Sequence, residues 1–229
     1  GDNSWTDPGG VALTGSTNNT VATVTGANAL AGEADLQFTG QTLTVGTTNN
    51  GVITSIYELQ LVSPSGESIT FDTNGLGNEA MRIDANGIVT EPLQPCFFGT
   101  TATVANCTGD GTELTCTPVE VIDRNADFSG TDFTAPVTGL YMINFNCFLG
   151  GLTSGMTAGR AYIDTSNRGY YNNVDWGAVA SGGTSYGNCQ TVIADLDASD
   201  TVKFKVYADN GSKVADLEDV TTFGIWLLG

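Results

Sequence analysis

Any chemistry in this sequence has to come from carboxylates and hydroxyls, because its 229 residues contain no histidine. A serine, threonine or cysteine nucleophile needs a neighbouring base, and the imidazole that commonly serves is absent. Zinc sites draw on histidine or on closely paired cysteines, and no Cys-x2-Cys pair occurs. Asp195 with Asp197, Asp209, and Asp216 with Glu218 and Asp219 are acid groupings of the type that hydrolyses glycosides. All of them fall on predicted turns, where a solvated carboxylate is the simpler reading, so no enzymatic activity is expected. Asp195-Leu-Asp197-Ala-Ser-Asp200 has the oxygen-rich spacing of a calcium loop but lacks its glycine and distal glutamate. Asp195, Asp197 and Asp200 are therefore weak calcium candidates, and no other cofactor is expected. No glycine-rich phosphate loop follows a strand and opens a helix.

The second kind of chemistry is recognition. Residues 165–188 are rich in Asn, Gly, Ser and Tyr, the residue types of adaptable binding loops. Tyr170, Tyr171, Trp176 and Tyr186 are the receptor-binding candidates in that stretch. The competing reading is that half of these aromatics plug the core or an oligomer axis.

The elements that hold these residues must be strands. Apolar side chains alternate in Phe133-Thr-Ala-Pro-Val-Thr-Gly139-Leu-Tyr141-Met-Ile143-Asn-Phe145, so Tyr141, Ile143 and Phe145 share one face. Pro136 and Gly139 mark the turn that feeds the strand. No stretch carries sustained helical periodicity, and Gly, Thr, Asn, Ser and Val dominate, so the fold class is all-β.

Seven basic residues against 25 acidic ones give a formal net charge of −18. A phosphate backbone would be repelled, so nucleic acid is not an expected partner. Such acidity suits a particle surface in salty water and equally serves plain solubility. No apolar run reaches the roughly 18 residues of a membrane span, so no membrane insertion is expected. The first residues, Gly1-Asp-Asn-Ser-Trp5, lack the basic start and apolar stretch of a signal peptide, and a start without Met suggests a trimmed chain. Of five cysteines, Cys107 and Cys116 flank what reads as a hairpin tip; the spacing allows a bridge and does not require one. Cys96, Cys147 and Cys189 are expected to pack as small hydrophobes.

The pattern F-x5-G-x-Y-x-(I/F)-x-F, here Phe133 to Phe145, resembles the entry strand of the complement globular-head and tumour-necrosis-factor family of jelly rolls. Cys189 to Ala208, with its acidic turn at Asp195–Asp200, is similar to a strand pair of that family, and Phe223-Gly-Ile-Trp-Leu-Leu-Gly229 to its closing strand. Together these cover residues 96–229. One departure is the compressed spacing of Arg124-Asn-Ala-Asp-Phe128-Ser-Gly-Thr-Asp-Phe133. The resemblance implies a trimeric head, in which Tyr141, Phe145, Phe204, Val206, Phe223 and Ile225 would fill core and trimer interface. It also keeps weak calcium binding open.

Upstream, residues 33–95 read as short β units: Asp35 to Val45, Glu67 to Gly75, and Ala80 to Thr90 with Asn86-Gly87 as a hairpin turn. Such units expose too many edges and too little core to stand alone, and three copies wound together would cover both. Leu36-Gln-Phe-Thr-Gly40-Gln-Thr-Leu-Thr-Val45 and Met81-Arg-Ile-Asp-Ala-Asn-Gly87-Ile-Val-Thr90-Glu-Pro-Leu-Gln-Pro95-Cys-Phe97 strongly resemble shaft segments of bacteriophage tail and head fibres. The expected organisation is an attachment segment at 1–32, an intertwined trimeric β shaft at 33–95 and a jelly-roll β-sandwich head at 96–229. The expected protein is a homotrimeric phage fibre on the virion surface. Residues 1–32 would dock to other virion proteins and the head would adhere to a host surface glycan or protein. A capsid-decorating or cement protein without receptor binding is the alternative.

Overall fold

The computed structural model describes residues 61–73, 77–180 and 182–228. The expected attachment segment and the shaft unit Asp35 to Val45 lie outside the described residues.

The first described sheet is small and antiparallel: β1 (Ile69–Asp72), β2 (Glu79–Ile83) and β3 (Val89–Thr90). The β2–β3 turn is where Asn86-Gly87 predicted it. Asp84 Oδ1 accepts the N–H groups of Asn86 and Ile88, both at 2.8 Å, and Gly87 takes φ +80, which a side chain would strain. The Ile88 N–H, more than any other group, holds the Asp84 carboxyl below its ordinary value. Phe71, Ile88 and Val89 of this ribbon stay 41%, 57% and 55% exposed, so the ribbon has no core of its own.

The head is a two-sheet jelly roll. Its strands are β4 (Cys96–Thr100), β5 (Val104–Thr108), β6 (Glu113–Thr115), β7 (Val119–Asp123), β8 (Phe128–Ser129), β9 (Asp132–Thr134), β10 (Gly139–Gly150), β11 (Ala158–Thr165) and β12 (Gly169–Asn173). A one-turn helix α1 (Trp176–Ala180) precedes β13 (Tyr186–Leu196), β14 (Thr201–Asp209), β15 (Ala215–Leu217) and β16 (Thr222–Leu227). The larger sheet runs β13-β10-β16-β4-β7, with β15 and β5 extending it beyond the end of β16. The smaller runs β12-β11-β14, then β6 and β9 along the free side of β14, then β8. Connections pass repeatedly from one sheet to the other, and the core lies between them.

Alternation along β10 is realised in full: Tyr141, Ile143, Phe145, Cys147 and Leu149 are all buried. Phe145 meets Phe223 of β16 at 5.4 Å and Phe204 of the opposite sheet at 5.3 Å, ring centre to ring centre. All six residues expected in core and trimer interface are 0% exposed in the single subunit. They are core only. With both sheet faces already closed over them, they have no surface left for another copy.

The expected hairpin at Cys107–Cys116 is a sheet crossing instead. Cys107 lies near the end of β5 in the larger sheet, whereas Cys116 follows β6 in the smaller one. The link turns through Gly109 (φ +126) and Gly111 (φ +91), and a Cβ on Gly109 would lie 2.1 Å from the Ser212 carbonyl oxygen. Both thiols are free and buried, and burial raises their pKa. Likewise the turn between Asp195 and Asp200 carries the chain from β13 in the larger sheet to β14 in the smaller. Of the other cysteines only Cys147 packs as expected. Cys96 is half-buried and Cys189 is exposed, because each points outward from the larger sheet.

The compressed Arg124–Phe133 segment is resolved by tight local turns. Asn125 and Ala126 adopt φ +70 and +57, and the Asp123 carboxylate accepts the N–H groups of Asp127 and Phe128. Phe128 then stacks on Phe97 with 4.1 Å between ring centres.

Candidate functional site

The four aromatic candidates do not form one site. Trp176 is 0% exposed and cannot meet a receptor: its Nε1–H donates to the Tyr207 carbonyl oxygen at 3.1 Å. The indole lies over Gly159, where a Cβ would come within 2.1 Å of Nε1. Tyr170 is half-buried against the core, and its carbonyl accepts Gln190 Nε2 across the seam between the sheets. Tyr171 and Tyr186 are exposed, at 54% and 41%, on two different surfaces.

Tyr186 stands at the seam where edge strand β12 of the smaller sheet meets edge strand β13 of the larger. It walls an open groove of 490 Å³ with Asn172, Asn173, Asp175 and Asn188. Each side chain is placed by the fold. Asn172 donates its amide to Asn188 Oδ1 at 2.8 Å, so the two strand edges are clipped together. Asp175 Oδ1 accepts the Ala178 N–H at 2.9 Å and caps α1. Trp176 supports Tyr186 edge-to-face from beneath, at 6.2 Å between ring centres. No cationic residue lines the groove. The sequence singled out Tyr186 alone of this set. The Asn content of residues 165–188 marked the stretch as a whole, but only strand pairing brings Asn172, Asn173 and Asn188 to one place.

Tyr171 belongs to the outward face of the smaller sheet. There the Arg160 guanidinium lies 4.8 Å from the ring centres of Tyr162 and Tyr171 and 5.4 Å from that of Tyr207. Glu113 is the hub: it accepts the Tyr162 hydroxyl and lies 3.7 Å from Arg160 and 3.4 Å from Lys205. Lys205 pairs with Asp164 at 2.8 Å and Lys203 with Asp132 at 3.2 Å. Burial first, then the hydrogen bond to Glu113, pushes the Tyr162 hydroxyl up to about 12. The Asp164 hydrogen bond raises Lys205. Each cation on this face has its own carboxylate within 4 Å.

The three calcium candidates brace a turn. The Asp200 carboxylate accepts Ser166 Oγ and Asn167 Nδ2, each at 2.6 Å, and the Asp197 N–H at 2.7 Å; the Ser166 bond contributes most to lowering its pKa. Asp195 pairs with Arg168 at 2.9 Å. Among the described residues no group of three or more Asp, Glu, His or Cys is placed to hold a metal. Asp209 accepts the Tyr207 hydroxyl at 2.7 Å, and Asp216 accepts the Asn106 N–H at 2.6 Å. Among the described residues no helix is long and apolar enough to cross a membrane.

A third surface was not anticipated. The outward face of the larger sheet carries an apolar row across four strands, Ile193–Met142–Trp226–Cys96, set by direct pairing. Phe98 and Ile122 pair beside it. The Trp226 ring lies over Gly224, where a Cβ would be 2.1 Å away. Ile193 is 61% exposed, and Leu140 and Leu228 at the same end are each 50% exposed. The segment leading into β4 reaches this end too: Leu227 N–H donates to Pro95 O, and Gln94 Nε2 to Leu227 O.

No family model matches the sequence, and neither does any curated protein. Several solved structures are similar. The globular domain of the zebrafish complement 1qA protein is 16% identical, with a TM-score of 0.42, over 59% of this chain and 98% of that one. Murine APRIL is 12% identical with a TM-score of 0.42, over 59% of this chain and 99% of that one. The PRD1 vertex protein P5 is 9% identical with a TM-score of 0.41, over 60% and 99%. The strand order and register of the two sheets define the jelly roll.

Proposed function

We propose that this chain is one subunit of a homotrimeric appendage on a virus particle and that its head adheres to the host surface. The observation that carries the trimer is the apolar outward face of the larger sheet. Met142, Trp226, Phe98, Ile122, Ile193, Leu140 and Leu228 gather on one side, and a soluble monomer seldom exposes so continuous an apolar band. The band adjoins Pro95, where the ribbon sheet leaves the head. Three copies meeting on this face bring three ribbons together at one axis, and the exposed Phe71, Ile88 and Val89 gain a cover. The virion location rests on the fibre-like wording of Met81 to Phe97, and residues 1–32 would dock the trimer to the particle.

Adhesion follows from the polar loops at the head surface and from valency. Three shallow sites on one axis turn weak single contacts into avidity. No bond is broken in this function, so incubation with host polysaccharide should release no sugar. The direct test is attachment: purified trimer, added in excess, should block binding of the parent virus to host cells. Undiminished attachment at saturating protein would overturn adhesion, and electron microscopy showing the head flat on the capsid would assign it to decoration.

A further inference from the structure

We infer that the seam groove beside Tyr186 binds a neutral saccharide; this rests on the adhesion reading and names its ligand class. The groove's chemistry selects the class by elimination and by fit. It contains no cation, so a sialate, uronate or phosphate finds no charge partner there. The chain's formal charge of −18 repels an acidic polymer further. The cations of the neighbouring Arg160 face are each matched to a carboxylate within 4 Å, so that face offers an anion no uncompensated charge. One carboxylate, Asp175, is too few for a metal or a polycation.

What the groove does offer are amide donors and acceptors beside an aromatic wall. Asn188 is only 8% exposed, and its Oδ1 is taken by Asn172, which leaves its Nδ2 as the available donor. Asn173 makes no side-chain hydrogen bond among the described residues, so its amide keeps both functions for a ligand. Asp175 uses Oδ1 on the helix cap and keeps Oδ2 as an acceptor. Sugar hydroxyls, which donate and accept at once, suit this mixture. Tyr186 is 41% exposed, and Trp176, itself fixed to Tyr207 O, holds it from below. A propped ring of this kind is a ready platform for the C–H face of a pyranose. The volume of 490 Å³ lies within the range of small-ligand sites, about 300–1,000 Å³.

The test is an immobilised glycan array carrying neutral, sialylated and uronate-bearing glycans, probed with the full chain and with Tyr186→Ala and Asn173→Ala. Neutral glycans should be retained. Each substitution should weaken retention about tenfold or more, equivalent to about 1.4 kcal/mol, while oligomer mass stays that of the parent and Asn173→Ala unfolds thermally as the parent does. The Asn173 side chain makes no hydrogen bond among the described residues, and only its backbone pairs, with Arg160, so its variant separates binding from folding. Retention of acidic glycans alone, no neutral binding, or neutral binding indifferent to both substitutions overturns the assignment. Host-cell attachment distinguishes the two readings. If Tyr186→Ala blocks virus attachment as well as the parent, the groove assignment falls and adhesion stands. If the parent binds neutral glycans through the groove yet never blocks attachment, the groove stands and adhesion falls.

Discussion

Gly159→Ala should destabilise the head, although the same exchange in an open strand position stabilises. Glycine inside a strand costs roughly 0.5–1 kcal/mol relative to alanine, so an unobstructed Gly159 would gain about that much. Here the new methyl would sit 2.1 Å from Trp176 Nε1 and 2.5 Å from Tyr207 O, and the backbone oxygen cannot swing aside. The indole must move. Overpacking of this kind costs about 1–3 kcal/mol. Loss of the Trp176–Tyr207 hydrogen bond inside the head adds about 1–3 kcal/mol for the unsatisfied partners. The expected net is therefore a loss of about 1–5 kcal/mol, opposite in sign to the open-site case. Urea unfolding followed by far-UV circular dichroism reads it directly. Gly183→Ala is the control, since a Cβ there meets nothing within 4 Å. Glycan retention should fall with Gly159→Ala too, because Tyr186 loses its support. Equal or greater stability in Gly159→Ala would show that Trp176 is not packed over this strand, and the placement of the groove wall would go with it.

Phe145→Ala removes a fully buried ring in contact with Phe204 and Phe223, and should cost about 3–5 kcal/mol in the same urea experiment. Met142→Glu puts a charge in the middle of the apolar row without touching the core; sedimentation should show dissociation with the circular dichroism spectrum unchanged. Tyr162 is held protonated in the folded state, up to about 12 against an ordinary 10.0. A raised folded value means the stabilisation is complete below pH 10 and is lost as pH climbs through about 12. Urea midpoints should therefore fall over that window. Tyr162→Phe should make the fall shallower without abolishing it, because Tyr141 and Tyr207 are raised as well.

The framework of the head was legible wherever one side of a strand faces the core. Period-two alternation in Tyr141, Ile143 and Phe145 maps directly onto the buried face of β10. The same alternation could not say what the other face does. Met142 stands between two buried residues and Trp226 follows one, so neither shows a second apolar face in sequence, and only pairing of β10 with β16 sets them side by side. Trp176 was misread because α1 has five residues, too few to show a period, in a stretch whose Asn and Gly content suggests a surface loop. The Cys107–Cys116 segment looked like a hairpin because a local turn and a sheet crossing use the same glycines. The Asp195–Asp200 carboxylates show the limit of spacing as a guide. Oxygen-rich runs brace turns as readily as they hold cations, and here Ser166, Asn167 and Arg168 from the neighbouring turn are their partners.

The trimer is the premise under adhesion, avidity and shaft alike, and its mass can be weighed. Sedimentation equilibrium of the full chain at micromolar concentration and physiological salt should return three times the mass of one subunit, with no monomer detectable. A single species at the mass of one chain would mean that the outward face of the larger sheet meets water in the native protein, and the appendage reading would be lost.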